Sequence, residues 1–217
     1  MAELRTEEEQ VEALKKWWQE NGKSLVLGVL LAGAIIFAWK GWQNSQQVKA
    51  ETAAALYQNL IQAVALASAP QATEEQKSTA AHLAGNLKTE FDDTAYARFG
   101  ALLNARLLLD AGDKDGAIAE FDWVLSQSED PVMTVVTTMR KARVLASKGD
   151  VSAAIALLNG VSSDAFQVSL MELKGDLQLK NNEPVKARES YQQALDLAGD
   201  EARPILVMKL DNLAVEG

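Results

Sequence analysis

Three hydrophobic patterns follow one another along this chain. The first is the run Ser24-Leu-Val-Leu-Gly-Val-Leu-Leu-Ala-Gly-Ala-Ile-Ile-Phe-Ala-Trp39, which carries no charge and lies between Lys23 and Lys40. As a helix it is about 24 Å long at ~1.5 Å per residue, slightly short of a hydrocarbon core of about 30 Å. The apolar stems of Lys23 and Lys40 extend it. Trp39 and Trp42 at one end, and Trp17 and Trp18 at the other, supply rings suited to a membrane interface. A core helix of a soluble domain keeps a polar edge, whereas this run is apolar on every face. A cleaved signal peptide needs a short basic leader and small residues at the cut. This leader instead has Glu3, Glu7, Glu8, Glu9, Glu12 and Glu20 against Arg5, Lys15, Lys16 and Lys23, and Trp39-Lys40-Gly41-Trp42 follows the run. The pattern predicts a permanent signal anchor over residues 23–42 behind a leader of residues 1–22. Gly28 with Ala32, and Ala34 with Ala38, form small-xxx-small pairs of the kind used in helix contacts within membranes.

The second pattern, from Gln43 to Ala69, is rich in Ala, Gln and Leu and has no breaker before Pro70. It predicts a helix continuing out of the membrane, followed by a second from the N-cap Thr73, with Gln76 three residues on, to Leu87. Residues 43–90 thus form a helical linker and N-terminal cap.

The third pattern repeats over 91–217. Asp110-Ala-Gly-Asp-Lys-Asp-Gly-Ala117, Ser147-Lys-Gly-Asp-Val-Ser-Ala-Ala154 and Lys180-Asn-Asn-Glu-Pro-Val-Lys-Ala187 align on their turns. Each closes on an alanine, and four residues later come Phe121, Leu158 and Tyr191. The alanines are 37 and 33 residues apart, around the tetratricopeptide period of about 34. Gly112, Gly149 and Asn182 supply the left-handed turn, and Ala105, Ala142 and Gly175 take the close-packing position. The aromatic of the consensus first helix is missing from all three units, so the likeness rests on the turn and second helix. No alternating β-branched run suggests a strand. The expectation is an all-α chain, a single transmembrane helix followed by a tetratricopeptide-like α-solenoid, capped at its C-terminal end by Pro204–Leu213. A generic helical bundle is the competing architecture.

Charge narrows the partners. The 217 residues carry a net charge of −9. No basic face is visible to neutralise phosphates, so nucleic acid is not an expected partner. The absence of cysteine excludes disulfides, thiolate metal sites and thiol catalysis. Near the apolar run, Lys15, Lys16 and Lys23 on one side outnumber Lys40 and Lys49 on the other, favouring a cytoplasmic N-terminus.

Candidate chemistry is sparse. His82 is the single histidine and lies within a predicted helix beside Ala81 and Leu83, so no second imidazole completes a zinc site or a Ser-His pair. Glu7-Glu8-Glu9 and Asp92-Asp93 are consecutive, splay apart on a helix and read as solvated charge. Gly112 and Gly116 lack the lysine of a phosphate-binding loop. No cofactor, metal or catalytic residue is expected. A binding surface remains. The first helices of the repeats would line a groove with Phe99, Leu102, Arg106 and Leu109 beside Val136, Met139 and Arg143, and with Glu172, Asp176 and Leu179 from the third unit. An apolar floor with paired arginines suits a segment of another protein. Equally, the apolar residues are ordinary core and the arginines neutralise neighbouring acids.

The leader Glu9-Gln-Val-Glu-Ala-Leu-Lys-Lys-Trp-Trp-Gln-Glu-Asn-Gly-Lys-Ser24 directly before the anchor, and Met139-Arg-Lys-Ala-Arg-Val-Leu145 in the central repeat, resemble the YfgM family, the ancillary subunit of the bacterial Sec translocon. The likeness runs the full length. It implies a Gram-negative inner-membrane protein with its C-terminal domain in the periplasm and no catalytic residues. The implied partners are SecYEG and the membrane-anchored chaperone PpiD. The expected role is a tethered adaptor, with a periplasmic holdase that binds unfolded secretory chains directly as the alternative. An enzyme would require a composite site shared with another subunit.

Overall fold

A computed structural model describes residues 7–199 and 201–215, and every regular element in them is helical. Residues 1–6 of the leader, with Glu3 and Arg5, lie outside the described residues. The chain divides into two compact units, one ending at Thr52 and one beginning at Ala53.

Helix α1, Glu7–Ala67, runs unbroken through the leader, the apolar run and the stretch that follows it. The sequence explains this continuity, because no proline occurs before Pro70. The glycines at 22, 28, 33 and 41 each cost about 1 kcal/mol against alanine in water, but in lipid the backbone has no competing hydrogen-bond partner. The helix ends where Pro70 disfavours helical geometry at Ala69. Within the first unit the apolar side chains face outward, and Phe37 is 79 % exposed. That exposure removes the core-helix reading. Among the described residues α1 is the one helix long and apolar enough to cross a membrane. The rings of Trp39 and Trp42 lie 5.2 Å apart at one end of the run.

The second unit begins with the last turns of α1. Ala53, Leu60, Ala63 and Ala67 are buried along one stripe and pack with Ala80, Ala84 and Leu87 of α2 (Glu74–Glu90). The α2 start is the expected capping box: Thr73 Oγ1 accepts from Gln76 N at 3.3 Å, and Gln76 Oε1 accepts from Thr73 N at 2.9 Å. The helix runs three residues beyond Leu87, to Glu90. At Gly100 a methyl group would meet Leu87 at 2.9 Å and Leu60 at 3.2 Å, so glycine sets the approach of α3 to both earlier helices.

Three helix hairpins follow: α3 (Ala95–Asp110) with α4 (Lys114–Gln127), α5 (Pro131–Lys148) with α6 (Val151–Asn159), and α7 (Gln167–Lys180) with α8 (Pro184–Ala198). A short 3-10 turn, Asp164–Phe166, precedes α7. Gly112, Gly149 and Asn182 all adopt positive φ, of 82°, 104° and 59°. Ala117, Ala154 and Ala187 are fully buried, and Phe121, Leu158 and Tyr191 are buried beside them. The repeat period also shows between units. Lys114 Nζ donates to the Ser147 carbonyl at 2.8 Å, 33 residues away, and Lys180 Nζ donates to the Ala146 carbonyl at 2.6 Å, 34 residues away. Both lysines bring a cationic donor to carbonyls in the last turn of α5, where the Ala146 carbonyl also accepts from Gly149 N at 3.3 Å.

Helix α9 (Pro204–Val215) closes the array. Its Leu206 is buried with Ala187, Tyr191 and Ala194 of α8. Lys209 Nζ reaches Glu172 Oε1 at 2.7 Å and the two Asp176 carboxylate oxygens at 2.7 and 3.0 Å, and Tyr191 donates to Asp176 Oδ1 at 2.7 Å.

This cluster gives the C-terminal end a pH signature. Burial first, and then the hydrogen bond to Asp176, raise the Tyr191 phenol well above its usual 10.0. For Lys209 burial works downward, but the hydrogen bonds to Asp176 and Glu172 outweigh it and the pKa rises above 10.5. In each case folding favours the protonated form. The associated stability is therefore complete below the unfolded value and is lost as pH climbs through the folded one. Thermal melts should fall with a steepening slope above about pH 10. A Tyr191→Phe, Lys209→Met variant should show a shallower fall over the same range, and parallel curves for the two proteins would refute the assignment.

Candidate functional site

The site is built from the first helices of two hairpins. Thr94 starts α3, its Oγ1 accepting from Ala97 N at 3.2 Å. Asp130 starts α5, its Oδ1 accepting from Val132 N at 2.8 Å and Met133 N at 3.5 Å, with Pro131 pre-set for the first turn. Between them lies a cavity of about 740 Å³, completed by Tyr57 from α1 and Phe121 from α4.

Six of the ten anticipated groove residues line this cavity: Phe99, Leu102, Arg106 and Leu109 from α3, with Val136 and Arg143 from α5. Four do not. Met139 is only 6 % exposed and packs with Val135, Ala142 and Ala146 in the core of the central repeat. Glu172 and Asp176 are engaged by Lys209 of α9, so the chain's own C-terminal helix holds the third unit's acidic pair. Leu179 is exposed but is not part of the lining.

Arg140, Tyr57 and Val132 line the cavity without having been anticipated. Arg140 was findable: Val136, Arg140 and Arg143 fall at i, i+4 and i+7 and share one helix face. The ring of Phe99 lies 6.2 Å from that of Tyr57, forming an aromatic wall.

The cationic groups differ in their commitments. Arg106 Nε donates to both carboxylate oxygens of Asp110, at 2.9 and 3.0 Å, an exposed pair worth little in stability. Arg140 and Arg143 are exposed and have no hydrogen-bond or ion-pair partner among the described residues. The expectation that arginines here neutralise neighbouring acids therefore fits Arg106 alone.

Elsewhere the candidate chemistry resolves into local structure. His82 Nε2 lies 3.3 Å from Asn86 Nδ2 one turn along α2. Asp92 and Asp93 occupy the turn between α2 and α3, not a helix, and Asp93 N donates to Asp92 Oδ1 at 3.0 Å. Asp113 Oδ1 accepts from Gly116 N at 2.8 Å, so the Gly- and Asp-rich turn serves as the N-cap of α4. Among the described residues no three His, Asp or Glu side chains gather to hold a metal.

Comparison with known proteins extends these observations. Residues 15–215 match the family model described as a tetratricopeptide repeat-like domain. An ancillary SecYEG translocon subunit of Haemophilus influenzae is 30 % identical over 213 residues, covering 98 % of this chain and all of that protein. The Escherichia coli protein of the same description is 26 % identical over 210 residues, 96 % of this chain and 97 % of its own. Among solved structures, MamA residues 41 to the end from Desulfovibrio magneticus RS-1 superposes with a TM-score of 0.56 at 18 % identity, over 77 % of this chain and 85 % of that one, a likeness of fold. With a matching repeat domain and a relative aligned from end to end, the chain belongs to the tetratricopeptide repeat-like family that contains the ancillary SecYEG translocon subunits.

Proposed function

We propose that this protein is a non-catalytic adaptor tethered in the bacterial inner membrane, with its N-terminus cytoplasmic and its repeat domain periplasmic. It associates with the SecYEG translocon and presents its cavity to a PpiD-like chaperone beside the channel. One observation carries the reading: the alignment to the relatives spans the apolar helix and the repeats together, so both parts are shared with proteins named for the translocon. The modest lysine excess before the anchor supports the orientation.

Tethering supplies the mechanism. Confining a weak binding surface to a thin layer beside the channel raises its effective concentration there, so low intrinsic affinity suffices. No chemical step is needed. In the holdase alternative the same cavity binds unfolded secretory chains directly, and its aromatic wall is what favours that reading.

The test compares the full chain with residues 43–217. The truncated protein should fold and retain the chaperone's periplasmic part while losing co-purification with SecYEG. Undiminished co-purification would show that the anchor does not localise the protein. Suppression of aggregation of many unrelated unfolded chains, without a defined partner, would favour the holdase.

A further inference from the structure

The adaptor reading leaves open what the cavity recognises, and the inventory of charge narrows it. From Ala53 onward the chain has fifteen Lys and Arg against 23 Asp and Glu. Most of the cations in this acidic unit are committed. Lys88, Lys141, Lys148 and Lys209 pair with acids on other helices, and Lys114 and Lys180 hold backbone carbonyls. Arg140 and Arg143 stand out, because they are exposed, without a partner among the described residues, and on the wall of the cavity described above. The single carboxylate in that lining, Asp130, is already used as the cap of α5.

We infer that the cavity takes an interior segment of a partner polypeptide in which Asp or Glu side chains accompany apolar ones. The carboxylates would meet Arg140 and Arg143, and the apolar side chains would lie against Phe99, Val132 and Val136. The inference rests on the adaptor reading and specifies its ligand. Two arginines at i and i+3 sit about 5–6 Å apart at Cβ, a spacing that two carboxylates one helical turn apart can match. Guanidinium groups favour planar, two-point contact with carboxylates. The floor supplies the remaining contacts: Phe99 is 42 % and Val132 50 % exposed, large apolar surface that an occupant would cover. A volume of about 740 Å³ exceeds what a lone anion fills and accommodates a few side chains. An anionic lipid surface fits less well, because the unit's excess of acids repels it.

The test uses the full chain in detergent and two amidated, N-acetylated peptides of alternating Leu and Glu, or Leu and Gln. Amidation removes the terminal carboxylate. The Glu peptide should bind at least about tenfold more tightly than the Gln peptide, and this preference should vanish in an Arg140→Gln, Arg143→Gln variant whose thermal melt is unchanged. Raising salt from about 0.05 to 0.5 M should weaken the Glu peptide alone. Equal binding of the two peptides, or a preference that survives in the variant, overturns the carboxylate assignment while leaving a partner groove intact. Failure of both peptides to bind, or arginine-dependent binding to phosphatidylglycerol vesicles instead, also overturns it. The adaptor reading fails separately: Phe99→Ser with Val136→Ser would then leave chaperone co-purification unchanged.

Discussion

Gly175→Ala should lower the melting midpoint of the repeat domain by roughly 5–15 °C, although alanine is the better helix former by about 1 kcal/mol. A Cβ at this position would meet Tyr191 Cε1 at 2.4 Å and Cδ1 at 2.5 Å. Contacts that short require the ring or the helix to move. The ring is poorly placed to do so: Tyr191 is 1 % exposed, and its hydroxyl is fixed to Asp176, next to Gly175 in sequence. Overpacking of this kind costs about 1–3 kcal/mol, and the strained hydrogen bond adds about another 1. The other two units show why the requirement is local. Ala105 opposite Phe121 and Ala142 opposite Leu158 are accommodated in the same position, where no hydroxyl draws the large side chain across. Tyr191→Leu should therefore rescue part of the loss caused by Gly175→Ala, giving a clear coupling in a double-mutant cycle. A melt within a degree of the parent would refute the steric account.

Lys209→Met should release the closing helix. The ammonium group is the shared partner of Glu172 and Asp176, which are one turn apart on α7. Without it, two carboxylates one turn apart lose their shared cation, and only Asp176 keeps a donor, the Tyr191 hydroxyl. Complete burial would make this cost about 3–5 kcal/mol, and partial exposure reduces it to about 1–3. The readout is positional. Amides of α9 should exchange with solvent faster by about tenfold or more, while those of α3 to α6 stay unchanged, because a repeat array transmits disturbance only through neighbours. Adding Glu172→Gln and Asp176→Asn should restore part of the protection by removing the repulsion. Unaltered exchange in α9 would mean that Leu206 and its apolar neighbours suffice to hold it.

Legibility in the sequence followed the range of the forces. The capping box at Thr73, the left-handed turns at Gly112, Gly149 and Asn182, and the alanine and large-residue pairs are set within a few residues, so spacing alone exposes them. The continuation of α1 past the apolar run is readable for the same reason, since breakers are local, whereas its start at Glu7 within the leader is not among the expectations. The groove was harder. Both faces of α5 are apolar enough to serve as core, and a rotation of about 100° exchanges them, which is why Met139 was expected in the groove and Arg140 was overlooked. Val135, Met139, Ala142 and Ala146 form the core stripe, and Val136, Arg140 and Arg143 the one beside it. Only packing against α6 and α7 decides between them. The fate of Glu172 and Asp176 was less visible still, because their partner lies 37 and 33 residues away on a helix whose register no local rule fixes.

The cavity draws its walls from α1, α3, α4 and α5, and α7 to α9 contribute nothing to it. Elements can therefore be gained or lost beyond α7, whose Leu170, Leu173 and Leu177 pack on α5, provided a closing helix follows, without altering Arg140, Arg143 or the aromatic wall. Reach and recognition can then diverge independently among descendants of one ancestral array.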